Sequence, residues 1–479
     1  MRSRRGLVDD GSKHVVAGGA QKGRSCVTPG WGESTATSRS SRCENPGESR
    51  VNSAFSADRP KRCTPLAGWT RSRFQQKEGQ TMTETQHKVP GHVPESAVVS
   101  WSHYDDPTLR KDPIECYDVL RSEHRAFYSP LHGGFWVLTH YDDVLDVLQN
   151  SSQWSSVNSA IPTRPNRLLP INLDPPEHTK YRKIISGSFS PTSIQQLEPH
   201  IRKVTRDLLE EVSASGEFDF IDGFAKPFPS TVFCAIFGLP QGEYRHFIRW
   251  TEMLLHSSDM KTRDRVTIEL REYLRTLIEE HRANPRDDLL NHLMEAEVDG
   301  ARMTEGELLD FSHTLFTAGL DTVTNALIFA FRHLGLNADD RRRITEDPDI
   351  APSAVEEFLR LYGFVQLTRT ATSDVYIAGV EIKQGELVLL PLASTGRDAC
   401  AFEDVDQPDI ERHPNRHLAF GAGAHRCVGS HLARLELRIA LEEWHAKFPN
   451  YTVIQPSRPI GHGGGVLGLD ELRLQIEPK

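Results

Sequence analysis

HLAFGAGAHRCVGSH, residues His417 to His431, is the stretch whose reading decides the fold. Three glycines, Gly421, Gly423 and Gly429, and one thiol, Cys427, follow an aromatic, Phe420, and run into an amphipathic segment with Val428, Leu432, Leu435 and Ile439 at helical spacing. Glycine tolerates positive φ and lets backbone approach a bulky partner, so the loop looks built to press main chain against something flat. With a helix starting at about Val428, Cys427 sits at a helix N-terminus. There free N–H groups and the positive end of the dipole favour thiolate over thiol. A stable thiolate is a nucleophile or a metal ligand; the competing reading is a small buried hydrophobe, the usual fate of a lone cysteine.

Three upstream segments carry further chemistry. Thr304 to Leu336 is the longest helical pattern, with TLFTAGLDTVTNAL at its centre. Gly319 in mid-helix costs roughly 1 kcal/mol relative to Ala and asks for a reason. The Thr322 hydroxyl can bond back to the Ala318 carbonyl four residues earlier. The alternative is a turn at GLDT with Asp321 capping a new helix. Asp174 to Phe189, DPPEHTKYRKIISGSF, reads as a helix start with Asp174 as cap, Pro175 in the first turn and Glu177 closing a box. His178 and Arg182 then share a face, which alone reads as a solvated basic surface. Ser353 to Leu361 reads as a helix with a box from Ser353 to Glu356, and Glu357 and Arg360 by themselves suggest a weak surface ion pair.

Phe420, Gly423, His425, Cys427 and Gly429 together spell FxxGxHxCxG. This resembles the haem-binding loop of the cytochrome P-450 family, in which the cysteine thiolate is the axial iron ligand. The other segments match the family in order. DPPEH with Arg four residues after the His is similar to the helix whose His178 and Arg182 would bind a haem propionate. Arg369 and His425 match further propionate-binding positions. AGLDT at 318–322 resembles the helix crossing the distal haem face, which implies Gly319 against the cofactor and Asp321 and Thr322 relaying protons to dioxygen. Glu357, Arg360 and Arg412 would form a structural charge cluster on the thiolate side.

The resemblance implies a mainly α fold with small β-sheets, a single-domain cytochrome P-450 fold with haem b between the long central helix and the Cys-loop helix. It covers nearly all of residues 95–477 and is strongest to soluble bacterial members such as camphor hydroxylase. The two to four domains that 479 residues would otherwise suggest are therefore set aside.

Composition agrees with a globular chain: 38% hydrophobic and 25% charged residues, net charge −10. Residues 1–81 carry 15 Lys and Arg against 7 Asp and Glu, are rich in Ser, Gly and Arg, and lack periodicity. They read as a disordered or non-native extension, with a basic arm or a transit peptide as the other readings, and leave 82–479 as the haem-thiolate domain. No uninterrupted apolar stretch is long enough to cross a bilayer, so no membrane anchor is expected. Cys116, Cys234, Cys400 and Cys427 show no CxxC pairing or disulfide framework, which fits a reducing, cytoplasmic setting.

Helices are expected over 113–124, 141–150 (with Val144, Leu145 and Leu148 inward), 193–213, 228–237, 241–256, 264–284 and 428–447. Strands are expected at Phe135–Thr139, 375–379, 381–392 and 466–475, and a long loop at 155–173. No GxGxxG follows a strand, so electrons ultimately from NAD(P)H would arrive through a separate ferredoxin or flavodoxin with its reductase. Lys180, Lys183, Arg426, Arg434 and Arg438 could meet such an acidic carrier, or be solvated helix residues. The expected activity is oxygen insertion from O2 into a small-to-medium hydrophobic substrate by a monomer, with no nucleic acid involved. No Tyr lies between Trp154 and Asp174 to match the one that anchors camphor's ketone, while Arg164 or Arg167 could pair with a substrate carboxylate. A haem-thiolate isomerase or dehydratase and a non-catalytic haem sensor remain alternatives; a peroxide-driven enzyme would be expected to lack the acid–alcohol pair.

Overall fold

The computed structural model describes residues 87–164, 167–212, 216–455 and 460–477. The extension expected over 1–81 lies outside the described residues. Pro113–Glu123 forms α1, with Ile114, Tyr117 and Leu120 buried as their spacing demands. A hairpin follows, β1 (Ala126–Ser129) against β2 (Phe135–Leu138). In α2 (Tyr141–Gln149), Val144, Val147 and Leu148 point inward while Leu145 stays half-buried, a one-residue rotation from expectation. Trp154–Ser155 is the edge strand β3.

Helix α3 (Glu177–Ser186) starts three residues after Asp174 and has no side-chain cap. The expected box fails because the Asp174 carboxylate is taken by the Ser155 hydroxyl and the Ser156 N–H (2.8 Å), which tie the long loop to β3. Helices α4 (Glu198–Glu210), α5 (Pro227–Phe237), α6 (Tyr244–His256) and α7 (Met260–Ala283) match the periodic segments. Gly238 ends α5 at φ 92°, where glycine alone is unstrained.

Helix α8 (Glu305–Leu336) runs unbroken through AGLDT, so the turn reading is excluded. Thr304 and Glu307 cap it reciprocally, a box the periodic pattern alone does not announce. It packs against α5, α6 and α7, and also against α9 (Ala351–Leu361) and α10 (Ser430–Lys447). By length and composition α8 could cross a membrane, but 78% of that apolar window is buried, the mark of a core helix. In α9 the start moves to Ala351: Ser353 donates to the Ile350 carbonyl, and Glu356 is occupied elsewhere, so no capping box forms there.

Strands β4 (Gln366–Ala371) and β5 (Leu387–Pro391) complete a five-stranded sheet ordered β1-β2-β5-β4-β3, in which only β2 and β5 run parallel. Sequence periodicity missed β4, whose Thr and Arg positions interrupt the apolar run. The sheet buries Trp136, Val388 and Leu390 with Val144, Val147 and Leu148 of α2 and with Leu418, just before the Cys loop. A second, larger core surrounds α8. Among the described residues Cys116, Cys234 and Cys427 are free thiols.

Candidate functional site

Helix α10 begins at Ser430, so Cys427 precedes it by three residues instead of standing in its first turn. The Cys427 N–H donates to the Phe420 carbonyl (2.9 Å), closing the loop on itself. Gly423 adopts φ 69°, and a Cβ there would fall 2.3 Å from the Leu148 carbonyl. The loop is thus seated on the end of α2, and that is what Gly423 serves. Gly429 leaves space beside the sulfur: a Cβ there would have only Cys427 Sγ, at 3.9 Å, within reach. Phe420 lies under the Arg434 guanidinium, 4.4 Å from ring centroid to Cζ.

Burial pushes the Cys427 thiol up. The Gly429 N–H and the guanidinium groups of Arg182, Arg426 and Arg434 pull the other way without offsetting it. Cys427 thus stands ahead of the first turn of α10 instead of within it, and a bound metal cation would add the charge stabilisation that a thiolate needs.

Four side chains from three segments converge nearby. The His178 and His425 rings lie 4.0 Å apart. Burial, then Arg369, His178 and Arg182, push His425 down to about 3. Burial and Arg182 lower His178, and burial lowers Arg369 to about 10. Among the described residues none of the four makes an ion pair. His178 Nδ1 and His425 Nε2 are buried without a hydrogen-bond partner, while the available carboxylate, Asp174, is held by Ser155 and Ser156. Two guanidinium groups beside two buried ring nitrogens without partners are costly unless an anion completes them. Two carboxylates of a tetrapyrrole, beside a sulfur ligand, fit that demand.

Helices α8 and α10 close around Ala326, Leu327, Ala330, Leu437 and Leu441. In the otherwise buried middle of α8, Ala318 is exposed and Thr322 half-exposed; so is Cys427 on the loop before α10. The Thr322 hydroxyl donates to the Ala318 carbonyl (3.0 Å), as expected. At Gly319 a Cβ would fall 2.2 Å from the Phe233 ring of α5. The absent side chain admits a neighbouring helix, a packing reason for this glycine beside the role toward the cofactor that the resemblance implies.

Asp321 is buried, accepting from Asn325 Nδ2 (2.9 Å) and paired with His256 Nε2 (3.1 Å). Burial raises its carboxyl, but His256, His462 and Lys226 outweigh that and hold it below the usual range. His256 and His462 were not legible as site residues: His256 precedes a polar break and His462 lies in a glycine run, with no period to place either.

Glu357 and Arg360 are fully buried, not a surface pair. Arg360 binds Glu357 through two bonds of 2.8 and 2.7 Å, and Arg412 Nε approaches at 3.2 Å. The Asp409 N–H (2.9 Å) and Asn415 Nδ2 (3.1 Å) complete the carboxylate, and Arg360 also donates to the Gly396 carbonyl. The adjacent Glu356 accepts from Arg434 (2.5 and 2.8 Å) and pairs with His417 (3.0 Å). Burial raises its carboxyl, but those partners bring it to about 2.

Of the five proposed basic contacts, Lys180 is paired with Asp299, Arg434 with Glu356, and Arg438 with Glu198 and Glu442; Lys183 and Arg426 are exposed. Arg167 pairs with Glu177 at the surface (3.2 Å), and Arg164 donates to the Leu254 carbonyl at the end of α6 (2.9 Å).

Comparison with known proteins agrees with this geometry. The cytochrome P-450 family model matches residues 127–449. The erythromycin C-12 hydroxylase of Saccharopolyspora erythraea is 35% identical over 391 residues, covering 78% of this chain and 93% of that protein. The vitamin D(3) 25-hydroxylase of Pseudonocardia autotrophica is 32% identical over 377 residues, covering 76% and 90%. Among solved structures, CYP101J2 superposes with a TM-score of 0.74 at 28% identity, covering 81% of this chain and 99% of that one. CYP109E1 from Bacillus megaterium, solved in complex with testosterone, gives 0.70 at 30% identity, covering 78% and 99%. A sulfur on a closed glycine loop, a cluster of basic groups with open nitrogens beside it and an exposed notch in the central helix thus coincide with an independent family match, and the chain belongs to the cytochrome P-450 family.

Proposed function

We propose that the chain is a haem-thiolate monooxygenase that inserts one oxygen atom of O2 into a hydrophobic substrate, working in the cytoplasm as a monomer. The observation that carries this reading is the cluster of His178, Arg182, Arg369 and His425, four basic groups with two open buried nitrogens and no anion, placed beside Cys427. These residues would hold the propionates, and Cys427 would supply the axial sulfur. Haem held this way supplies, when bound, the oxygen-activating chemistry that a thiolate ligand favours over reversible oxygen binding.

The rest falls to the protein. Asp321 holds a carboxylate in the interior, and Thr322 presents a hydroxyl to the notch one residue on; together they can pass protons to the distal side. The Thr322 proton bridges to the Ala318 carbonyl, which leaves the hydroxyl oxygen free to accept. An isomerase or a sensor needs no such pair. The loop over residues 155–173, the α8 face around Leu315 and Ala318, and the segment 364–367 would bound the substrate. The named relatives act on a macrolide and a secosteroid, so compounds of that apolar kind are the first to screen. Electrons would come from NAD(P)H through a ferredoxin or flavodoxin docking near Lys183 and Arg426.

The test is spectroscopic. Haem-loaded protein should give the red-shifted Soret band of a thiolate-bound ferrous carbonyl, and Cys427→His should lose it. Thr322→Ala should keep the band while diverting most reducing equivalents from product to peroxide. Unchanged product yield in that variant would favour a non-oxygenase reading.

A further inference from the structure

We propose that His256 and His462 form a relay that carries protons from solvent at Asp470 to the buried Asp321 carboxylate; this rests on the monooxygenase reading above. The groups stand in line. Asp470 is exposed, bound to Arg110 (3.1 Å) and to His462 Nδ1 (2.8 Å). The His462 and His256 rings lie 4.3 Å apart between centroids, and His256 Nε2 meets Asp321 at 3.1 Å. The two ring nitrogens left without a hydrogen-bond partner are the inner ones, His462 Nε2 and His256 Nδ1. A purely structural pair needs only His256 and Asp321, and would leave no reason for a second ring, His462, with an open Nε2, to lie against it and reach on to Asp470.

Glycines bring the two rings together. A Cβ on Gly468 would fall 2.4 Å from His462 Nε2 and 2.2 Å from Asn325 Oδ1. One on Gly464 would fall 2.6 Å from the Leu255 carbonyl, beside His256. The stretch GHGGGVLG, 461–468, is thereby seated against the end of α6 and the middle of α8, with His462 between them and the surface.

The electrostatics suit a resting proton on the inner ring. His256 faces Asp321 and Asn325 from α8, His462 and the Gly463 carbonyl from the glycine stretch, and Glu252 from its own helix. Burial lowers its affinity for a proton, but Asp321 more than compensates, so it lies above the ordinary value. His462 faces Asp470, Asp321 and His256; burial keeps it below the ordinary value despite Asp470. A charged inner ring and a neutral outer ring can advance a proton inward. His256 Nε2 gives one proton to Asp321 Oδ2, His256 is recharged from His462, and His462 from Asp470 and solvent at Nδ1. After giving up its Nε2 proton His256 keeps Nδ1–H, so the ring turns about Cβ–Cγ to offer its bare nitrogen, and His462 passes on its own Nε2 proton only once it has taken one at Nδ1 from Asp470 and solvent; each transfer then moves one proton and no electrons.

Two measurements on the haem-loaded protein test this. Histidine NMR of the ferrous carbonyl form should show the His462 midpoint fall in Asp470→Asn and rise in His256→Gln; independence of the two rings overturns the relay whether or not turnover is seen. With NADPH and a ferredoxin system, oxygen consumption should fall at least threefold in Asp470→Asn and His462→Phe, with a larger solvent deuterium effect. Added imidazole should restore part of the rate in His462→Ala. Wild-type rates and isotope effects in Asp470→Asn and His462→Phe, with a normal thiolate Soret band, also overturn it. A wild type that shows no oxygen consumption at all indicts the monooxygenase reading instead, and leaves the NMR result to decide the relay.

Discussion

Two charge clusters flank the Cys loop, and they are built on opposite plans. Around Glu357 the charges are matched: one buried carboxylate receives Arg360, Arg412, Asn415 and the Asp409 N–H. Around His425 four basic groups meet with no carboxylate of their own, and burial and mutual repulsion hold His425 near 3. The first cluster is complete in the polypeptide; the second is complete only with an anionic guest. A sequence motif marks both equally, yet only three-dimensional satisfaction of each donor and acceptor separates a strut from a receptor.

The contrast can be broken first at Glu357. Glu357→Gln should strand the buried Arg360 and cost about 3–5 kcal/mol of folding free energy, read by urea denaturation of the haem-free protein. Arg369→Met should do the reverse: haem-free stability stays the same or rises, while haem binding weakens by about 2–4 kcal/mol, read by haem transfer to an acceptor protein. If Arg369→Met instead destabilises the haem-free chain as much as Glu357→Gln does, the two clusters are alike and the distinction fails.

Acid sharpens it further. A histidine held below its unfolded value contributes stability above that value, about 6.5, and loses it as pH falls toward about 3, because the unfolded chain binds the proton first. The haem-free protein should therefore weaken across that window, by less than either substitution costs. Bound propionates should raise His425 and shrink the effect, so denaturation midpoints against pH with and without haem should diverge below about 6.5. The smallest effect belongs to Asn415→Ala, which removes one of several bonds to Glu357 and should cost about 1 kcal/mol without altering the Soret band.

How much of this was legible depended on the kind of signal. Periodic apolar spacing located α1, α8 and α10 because their inward faces are unbroken, and the family resemblance located the acid–alcohol pair and Cys427. Caps were less readable: the Asp174 and Ser353 boxes failed because Asp174 serves β3 and Glu356 serves Arg434 and His417, partners far away in sequence. The capping box at Thr304 forms although Glu307 also has a distant partner, because Tyr181 takes one carboxylate oxygen and Thr304 the other. Gly319 shows the same limit, since its packing reason is the Phe233 ring of another helix. His256 and His462 acquire meaning only from a contact between residues more than two hundred positions apart.

One short helix, α9, carries both Glu356 and Glu357. Through Glu357 it grips Arg412 and Asn415, ahead of the glycine loop; through Glu356 it grips His417 at the loop's first residue and Arg434 beyond its last. The loop is therefore pinned at both ends by a single rigid rod, like a bridge whose abutments share one foundation. Any load that shifts this rod, including a protein docking on the nearby surface, would move both anchor points in concert and carry the Cys427 sulfur with them.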